Sequence, residues 1–131
     1  MLSRESMTIK PIGKVRTTSD DTSVIELYPD HAEGLAGLSS GDRLDIIYWM
    51  HELPTASRRA VRVHPRGDKS RPKKGVFGLR SPTRPNPIGV STVQLAEIRG
   101  NSLLVVGLDA HDGSPVLDIK GARADPGAMT P

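Results

Sequence analysis

Short runs of alternating apolar and polar residues are the dominant pattern of this sequence, and turns rich in Gly, Pro, Asp and Ser separate them. A period of two is typical of β-strands that bury one face, because successive side chains point to opposite sides of a sheet. Within one such run, Val93 and Leu95 share one face while Thr92 and Gln94 share the other. The pattern predicts strands at residues 23–27, 43–50, 61–64, 90–96, 103–106 and 116–119.

Two further segments are less regular. Residues 9–15 resemble a short edge strand, since Pro11 cannot donate a hydrogen bond to a sheet. Residues 31–38 are long enough for one or two helical turns, and Asp30 suits the N-cap position. Many short strands with little helix favour a mainly β fold, a small antiparallel β-barrel-like domain with short helical pieces.

The chain length fits a single domain, residues 1–131, and we expect its ends, residues 1–7 and 121–131, to be flexible. The absence of cysteine excludes disulfides, thiolate metal sites and cysteine nucleophiles, and it is compatible with a reducing compartment. No apolar run approaches the ~18 residues of a membrane span, and the N-terminus lacks a signal-peptide core. We therefore predict a cytoplasmic protein that does not enter a membrane.

Positive charge is concentrated in one part of the chain. Ten of the eighteen Lys and Arg residues lie between Arg58 and Arg84 with one acid, giving +9, while the remaining eight bases and fourteen acids give −6. Such a face implies a polyanionic partner, usually nucleic acid, although a solvated surface loop has the same composition. Because the chain has only four aromatic residues, a broad base-stacking surface is not expected. The candidate nucleic-acid-binding residues are Arg58, Arg59, Arg62, Arg66, Lys69, Arg71, Lys73, Lys74 and Arg84.

A loop locked by proline follows the basic stretch. Pro82, Pro85 and Pro87 fix their own backbone and restrict the residue before each of them, so most of this loop is pre-set. An extended arm of this kind holds the guanidiniums of Arg80 and Arg84 ready to bind a phosphate or carboxylate with little loss of entropy. A stiff surface connection with solvated arginines is the alternative interpretation.

Residues 75–91, GVFGLRSPTRPNPIGVS, resemble the signature of the TrmO (YaeB-like) family. The similarity extends to IGKVR at 12–16, YWMHE at 48–52 and DAHDGSPVLDIK at 109–120, and so covers nearly the whole chain. The resemblance implies an S-adenosyl-L-methionine-dependent methyltransferase that modifies N6 of threonylcarbamoyladenosine next to the tRNA anticodon. It also implies a non-Rossmann β-barrel and a homodimer with the cofactor near the subunit interface.

The resemblance also implies which residues bind the cofactor. These positions are His51, Glu52, Arg80, Val90, Asp109, Ala110, His111 and Asp112. Family members often have Gln in place of Glu52, whose carboxylate still accepts a hydrogen bond. They also carry a longer N-terminal insertion with a further cofactor contact, which a short acidic turn at 17–23 replaces here, and longer bacterial members have a C-terminal extension. His51 and Asp112 are the candidates for a general base.

The same residues also allow other functions. His51 can be a structural histidine, and Asp112-Gly113 is an ordinary turn signal between two strands. The histidines lack the spacing of the zinc-protease helix motif, so we predict no metal site. Besides a tRNA methyltransferase, the sequence is compatible with a non-catalytic RNA-binding β-barrel, or with a methyltransferase for a small molecule or another substrate.

Overall fold

Within residues 4–54 and 58–123, which the computed structural model describes, the chain forms eight β-strands. They are β1 (Gly13–Thr17), β2 (Thr22–Leu27), β3 (Arg43–Trp49), β4 (Arg62–Val63), β5 (Lys74–Gly75), β6 (Ile88–Arg99), β7 (Ser102–Val106) and β8 (Pro115–Gly121). Six of them close into an antiparallel barrel in the order β1-β2-β7-β6-β3-β8, while β4 and β5 form a separate two-stranded ribbon. The mainly β, barrel-like architecture predicted from the alternating pattern is confirmed.

Alternate apolar residues of the strands fill the interior of the barrel. Ile25, Ile46, Leu95, Leu103 and Val105 are fully buried and come from β2, β3, β6 and β7. Burying an aliphatic side chain of this size contributes ~1.5–3 kcal/mol, so the register that places these residues inside is strongly preferred. β6 is longer than predicted because its first half pairs with β3 and its second half with β7.

The first strand closes the barrel. β1 pairs with β2 over five residues and with β8 over two, Gly13 opposite Val116 and Lys14 opposite Pro115. The prediction of an edge strand at this place is therefore wrong, since β1 has a partner on both sides. Pro11 lies before the strand, where its missing N–H removes no bond from the ladder.

Beyond these two pairs, β1 continues along the turn that precedes β8. The N–H of Val15 donates to the carbonyl of Ser114 at 3.0 Å, and the N–H of Gly113 donates back to the carbonyl of Val15 at 2.8 Å. At the end of the strand, the N–H of Thr17 donates to Asp112 Oδ1 at 2.9 Å. The turn before β8 is thus attached to the wall of the barrel.

The predicted helical turns form a 3₁₀ helix at Pro29–Leu35, and Leu35 is buried in the barrel core. The prediction of Asp30 as N-cap is wrong: Tyr28 occupies that position without a side-chain cap, and Asp30 lies in the first turn. Proline favours the first helical turn because its φ is already helical and its absent N–H is not needed there, so Pro29 starts the helix earlier than predicted.

The end of the last strand also differs from the prediction. Gly121 still belongs to β8 and pairs with Leu44, so the flexible tail predicted from residue 121 starts too early. Residues 1–3 and 124–131 of the predicted tails lie outside the described residues. In the ranges that the structure describes, no helix is long and apolar enough to cross a membrane.

Candidate functional site

A cavity of about 820 Å³ opens beside the point where β3 ends and β6 begins. Its walls come from three parts of the chain: residues 48–54, the signature loop (residues 76–87) with the start of β6, and the loop between β7 and β8 (residues 107–114). This volume lies within the range of small-molecule sites, which span roughly 300–1,000 Å³. Aliphatic residues line it together with carboxylates, imidazoles and guanidiniums.

The strand pairing brings these three parts together. Trp49 is opposite Ile88 in the β3–β6 ladder, and Tyr48 is opposite Val116 in the β3–β8 ladder. Antiparallel pairing therefore places the residues that follow β3 beside those that precede β6 and β8. The N–H of Met50 extends the first ladder by donating to the carbonyl of Pro87 at 2.7 Å.

Two of the predicted site residues, Glu52 and His111, contact each other at the cavity. His111 Nδ1 and Glu52 Oε2 lie 2.6 Å apart, and His51 Nε2 is 3.8 Å from the other carboxylate oxygen. The hydrogen bond from His111, together with the positive charges of both imidazoles, lowers the pKa of Glu52 below its ordinary 4.5. The carboxylate is therefore ionised at neutral pH and adds negative charge to the cavity wall.

His51 is held at the cavity by the turn before β8. Its Nδ1 lies 3.4 Å from the hydroxyl of the buried Ser114, and its ring also faces Gly113. The His51 side chain is 33% exposed. One face of this side chain is thus packed, while the cavity is open to the other.

Of the four predicted residues 109–112, two line the cavity and two contact the barrel instead. Asp109 and His111 line the cavity. Ala110 packs against the barrel core, and the carboxylate of Asp112 accepts the bond from Thr17, away from the cavity lining.

Tyr48 and Ser91 fix the position of Asp109. The Tyr48 hydroxyl lies 3.4 Å from both Ser91 Oγ and the Asp109 carbonyl, while the N–H of Asp109 donates to Ser91 Oγ at 3.3 Å. The sequence alone does not indicate this role of Tyr48. The only signal for it is the strand pattern, which places Tyr48 on the same buried face as Leu44 and Ile46.

Arg80 of the signature loop and Val90 of β6 both line the cavity. The Arg80 side chain is exposed, and its Nη1 lies 3.4 Å from the carbonyl of Val90, which is a long hydrogen bond. Among the described residues this is the one hydrogen bond of the Arg80 side chain, so most donors of its exposed guanidinium are available to an anionic group.

The second guanidinium of the loop has a different environment. Arg84 donates to the carbonyls of Ser81 at 2.8 Å, Leu79 at 3.2 Å and Val76 at 3.2 Å. Prolines supply carbonyls but no N–H groups, so a loop rich in proline has acceptors that need donors. Arg84 is thus an internal clamp of the signature loop, and its contact with nucleic acid stays a prediction.

The other candidate nucleic-acid-binding residues lie in two neighbouring segments. Most belong to the basic ribbon, which consists of β4, β5 and their connection (residues 62–75). Arg58 and Arg59 precede it. Arg62 and Lys74 belong to the two strands, and the Lys74 side chain lies against Gly78 at the cavity. Arg59, Arg66, Lys69, Arg71 and Lys73 are exposed. The guanidinium of Arg58 instead lies over the Trp49 ring, 5.0 Å from its centroid, in a cation–π contact.

Asp68 is the one acid among these bases. The hydroxyl and N–H of Ser70 both donate to its Oδ1, at 2.6 Å and 2.9 Å, and lower the pKa of Asp68 below 3.8. His64 lies in the same ribbon, with Nδ1 2.7 Å from the carbonyl of Arg71. In the part of the chain that the structure describes, no cluster of three or more histidines and carboxylates could hold a metal ion.

Residues 9–124 match the tRNA-methyltransferase O N-terminal domain family. A probable S-adenosyl-L-methionine-binding protein of Methanocaldococcus jannaschii is 42% identical over 113 residues, covering 86% of this chain and 89% of that protein. The tRNA (adenine(37)-N6)-methyltransferase of Mus musculus is 37% identical over 97 residues, covering 74% of this chain but 22% of the mouse protein. The crystal structure of TrmO from Pseudomonas aeruginosa superposes with a TM-score of 0.71 at 25% identity, and this chain spans 63% of its length.

Proposed function

The chain belongs to the tRNA-methyltransferase O N-terminal domain family, and from that premise we propose that it transfers a methyl group from S-adenosyl-L-methionine to N6 of threonylcarbamoyladenosine next to the tRNA anticodon. The observation that carries the proposal is the cavity of about 820 Å³, where the signature loop meets Glu52 and the Asp109–His111 turn. Relatives named as S-adenosyl-L-methionine-binding proteins and as a tRNA methyltransferase support it.

The residues at the cavity fit this cofactor by their chemistry. The carboxylates of Glu52 and Asp109 suit its sulfonium and ammonium charges, and the exposed guanidinium of Arg80 suits its carboxylate. Leu79 and Val90 offer apolar surface to its adenosine part. Bound there, S-adenosyl-L-methionine supplies a methyl group activated by the positive sulfur.

Methylation of an N–H group releases one proton, which a side chain at the cavity has to accept. Of the two candidates, His51 lines the cavity, while the carboxylate of Asp112 is bound to the N–H of Thr17 outside it. We therefore assign the general base to His51, since imidazole is the side chain that enzymes use most often for this step. Ser114 keeps the ring facing the cavity through its hydroxyl.

We expect the tRNA to lie along the basic ribbon. The cations of this ribbon are exposed, and one of them, Lys74, lies against Gly78 at the cavity. Contacts with phosphates make binding dependent on salt, and each contributes ~0.7–0.9 to the slope of log affinity against log salt concentration. The homodimer implied by the family resemblance is part of the same proposal. Light scattering of the purified chain tests it.

Labelled methyl transfer to total tRNA, with and without the threonylcarbamoyl group, tests the proposed reaction. We expect incorporation only into tRNA that carries the group, and His51→Gln should abolish it even at cofactor concentrations that saturate the protein. Equal labelling of both tRNAs would contradict the proposed acceptor. Salt-dependent RNA binding without affinity for the cofactor would indicate a non-catalytic RNA-binding barrel instead.

A methyltransferase with another acceptor is the second candidate. The observation that favours it is the tight β1–β2 turn, in which Thr18 and Ser19 both donate backbone hydrogen bonds to the carbonyl of Thr22. This short turn stands where the family resemblance implies a longer insertion with a cofactor contact. This candidate predicts calorimetric binding of S-adenosyl-L-methionine without labelling of either tRNA.

A further inference from the structure

Phe77 projects into solvent from a turn that is otherwise anchored in the protein. It lies in the 3₁₀ turn Val76–Gly78, where Val76 is 0% exposed and Phe77 is 79% exposed. A large apolar ring in water is unfavourable, because burying it would contribute a few kcal/mol of free energy. Exposed apolar side chains that adjoin one another at a cavity mark contact sites, and Phe77 adjoins the exposed Val90 at the cavity described above.

The turn that presents Phe77 is well fixed. The N–H of Val76 donates to the carbonyl of Val61 at 2.9 Å, and the N–H of Leu79 closes the turn onto Val76 at 3.0 Å. The Val76 carbonyl also accepts the bond from the Arg84 guanidinium at 3.2 Å. Because the backbone is held on both sides, the turn loses little backbone freedom when the ring binds a partner.

Phe77 lies near both an exposed apolar residue and a lysine. The ring lines the cavity with Val90, which is also exposed. The Lys74 side chain lies against Gly78, the next residue of the turn. An exposed ring between a small-molecule cavity and a row of cations fits a nucleotide, whose base is flat and apolar and whose phosphate is negative.

We propose that Phe77 stacks on the nucleobase that RNA presents to the cavity, while Lys74 contacts the neighbouring phosphate. This inference rests on the proposed function, since an enzyme that modifies a base must take it out of the stack and hold it. Of the other aromatic residues, Tyr48 is buried, Trp49 lies under Arg58, and Tyr28 is remote from the cavity lining. One ring therefore supplies the stacking for one base.

The test compares Phe77→Ala and Phe77→Tyr with the wild-type protein, using an anticodon stem-loop RNA as the probe. Stacking predicts that Phe77→Ala weakens RNA binding and raises KM for RNA about 5-fold to 100-fold, with a much smaller change of kcat. Phe77→Tyr should retain most of the affinity, because it keeps a flat ring. Tyr28→Ala, which removes an exposed aromatic side chain elsewhere, should leave RNA binding unchanged.

Two parallel measurements separate this inference from its alternatives. Calorimetry should show the same affinity of Phe77→Ala and wild type for S-adenosyl-L-methionine, and light scattering should show the same mass. Loss of cofactor affinity would overturn the proposal in favour of a cofactor contact, and loss of a dimer would overturn it in favour of an interface between two copies. If wild type methylates tRNA but Phe77→Ala binds RNA equally well, the stacking role fails while the proposed function stands.

Discussion

The ring of Tyr48 lies directly against the backbone of Gly89, its partner in the β3–β6 ladder. A β-carbon at position 89 would come within 2.6 Å of Tyr48 Cζ, closer than any real side-chain contact. The missing side chain lets the tyrosine cross β6 and bring its hydroxyl to Ser91 and Asp109. Gly89 thus has a packing role within the protein.

Gly89→Ala should therefore displace Tyr48 and disturb the Asp109 turn. Overpacking of this kind costs ~1–3 kcal/mol of the free energy of unfolding, which denaturant titration measures. The matched control is Gly34→Ala, since nothing lies within 4 Å of a β-carbon at that position, and we expect a change within ~0.5 kcal/mol there. Equal stability of Gly89→Ala and wild type would contradict the close packing.

Arg84→Gln should loosen the signature loop. The substitution removes a half-buried guanidinium that serves three carbonyls, so we expect a loss of ~1–3 kcal/mol in the free energy of unfolding. Hydrogen exchange of residues 76–87 should accelerate. Arg99→Gln is the control, because Arg99 is exposed and pairs only with Glu97 among the ion pairs described. Weaker RNA binding with unchanged exchange would instead support the nucleic-acid contact first predicted for Arg84.

Arg80→Ala should weaken binding of S-adenosyl-L-methionine and leave the fold intact, since its side chain is exposed and makes one long hydrogen bond. Hydrogen bonds to charged groups contribute ~1.5–3 kcal/mol, so we expect the dissociation constant to rise about 10-fold to 100-fold. Calorimetry measures this change. An unaltered dissociation constant would remove Arg80 from the cofactor site.

The Glu52–His111 contact should depend on pH in the acidic range. Because His111 lowers the pKa of Glu52 below 4.5, the contact is fully present above pH 4.5 and is lost as the pH falls through the lowered pKa. Carbon NMR of the Glu52 carboxyl group should give a midpoint below 4.5 in wild type and a higher one in His111→Gln. The same midpoint in both proteins would show that the contact is absent in solution.

The strands of the barrel were predictable because buried apolar residues alternate with exposed polar residues along its strands. Val93 and Leu95 are buried and Thr92 and Gln94 exposed, as predicted. The prediction was wrong for β1, because the rule that keeps proline at sheet edges applies to residues inside a strand, and Pro11 precedes it. Where a strand begins depends on the strands with which it pairs, and the alternation of apolar and polar residues does not show this pairing.

The candidate site was predictable only in part, for the same physical reason. The segments that meet at the cavity were identified by resemblance, but the contact of Glu52 with His111 joins residues 59 positions apart. Likewise, proline spacing indicated a stiff loop, but nothing in the spacing shows that Arg84 folds back onto its carbonyls. Long-range contacts of this kind follow from the closed barrel and not from local sequence.

The attachment of the turn at 112–114 to β1 has a kinetic consequence. One side of the cavity mouth is tied to the barrel wall through Val15 and Thr17, and the opposite side is clamped by Arg84. Neither side has to open before a small ligand enters, in contrast to enzymes that close a lid over their site. In stopped-flow experiments, association should therefore be a single phase whose rate rises in proportion to ligand concentration, without a plateau set by a slow isomerisation.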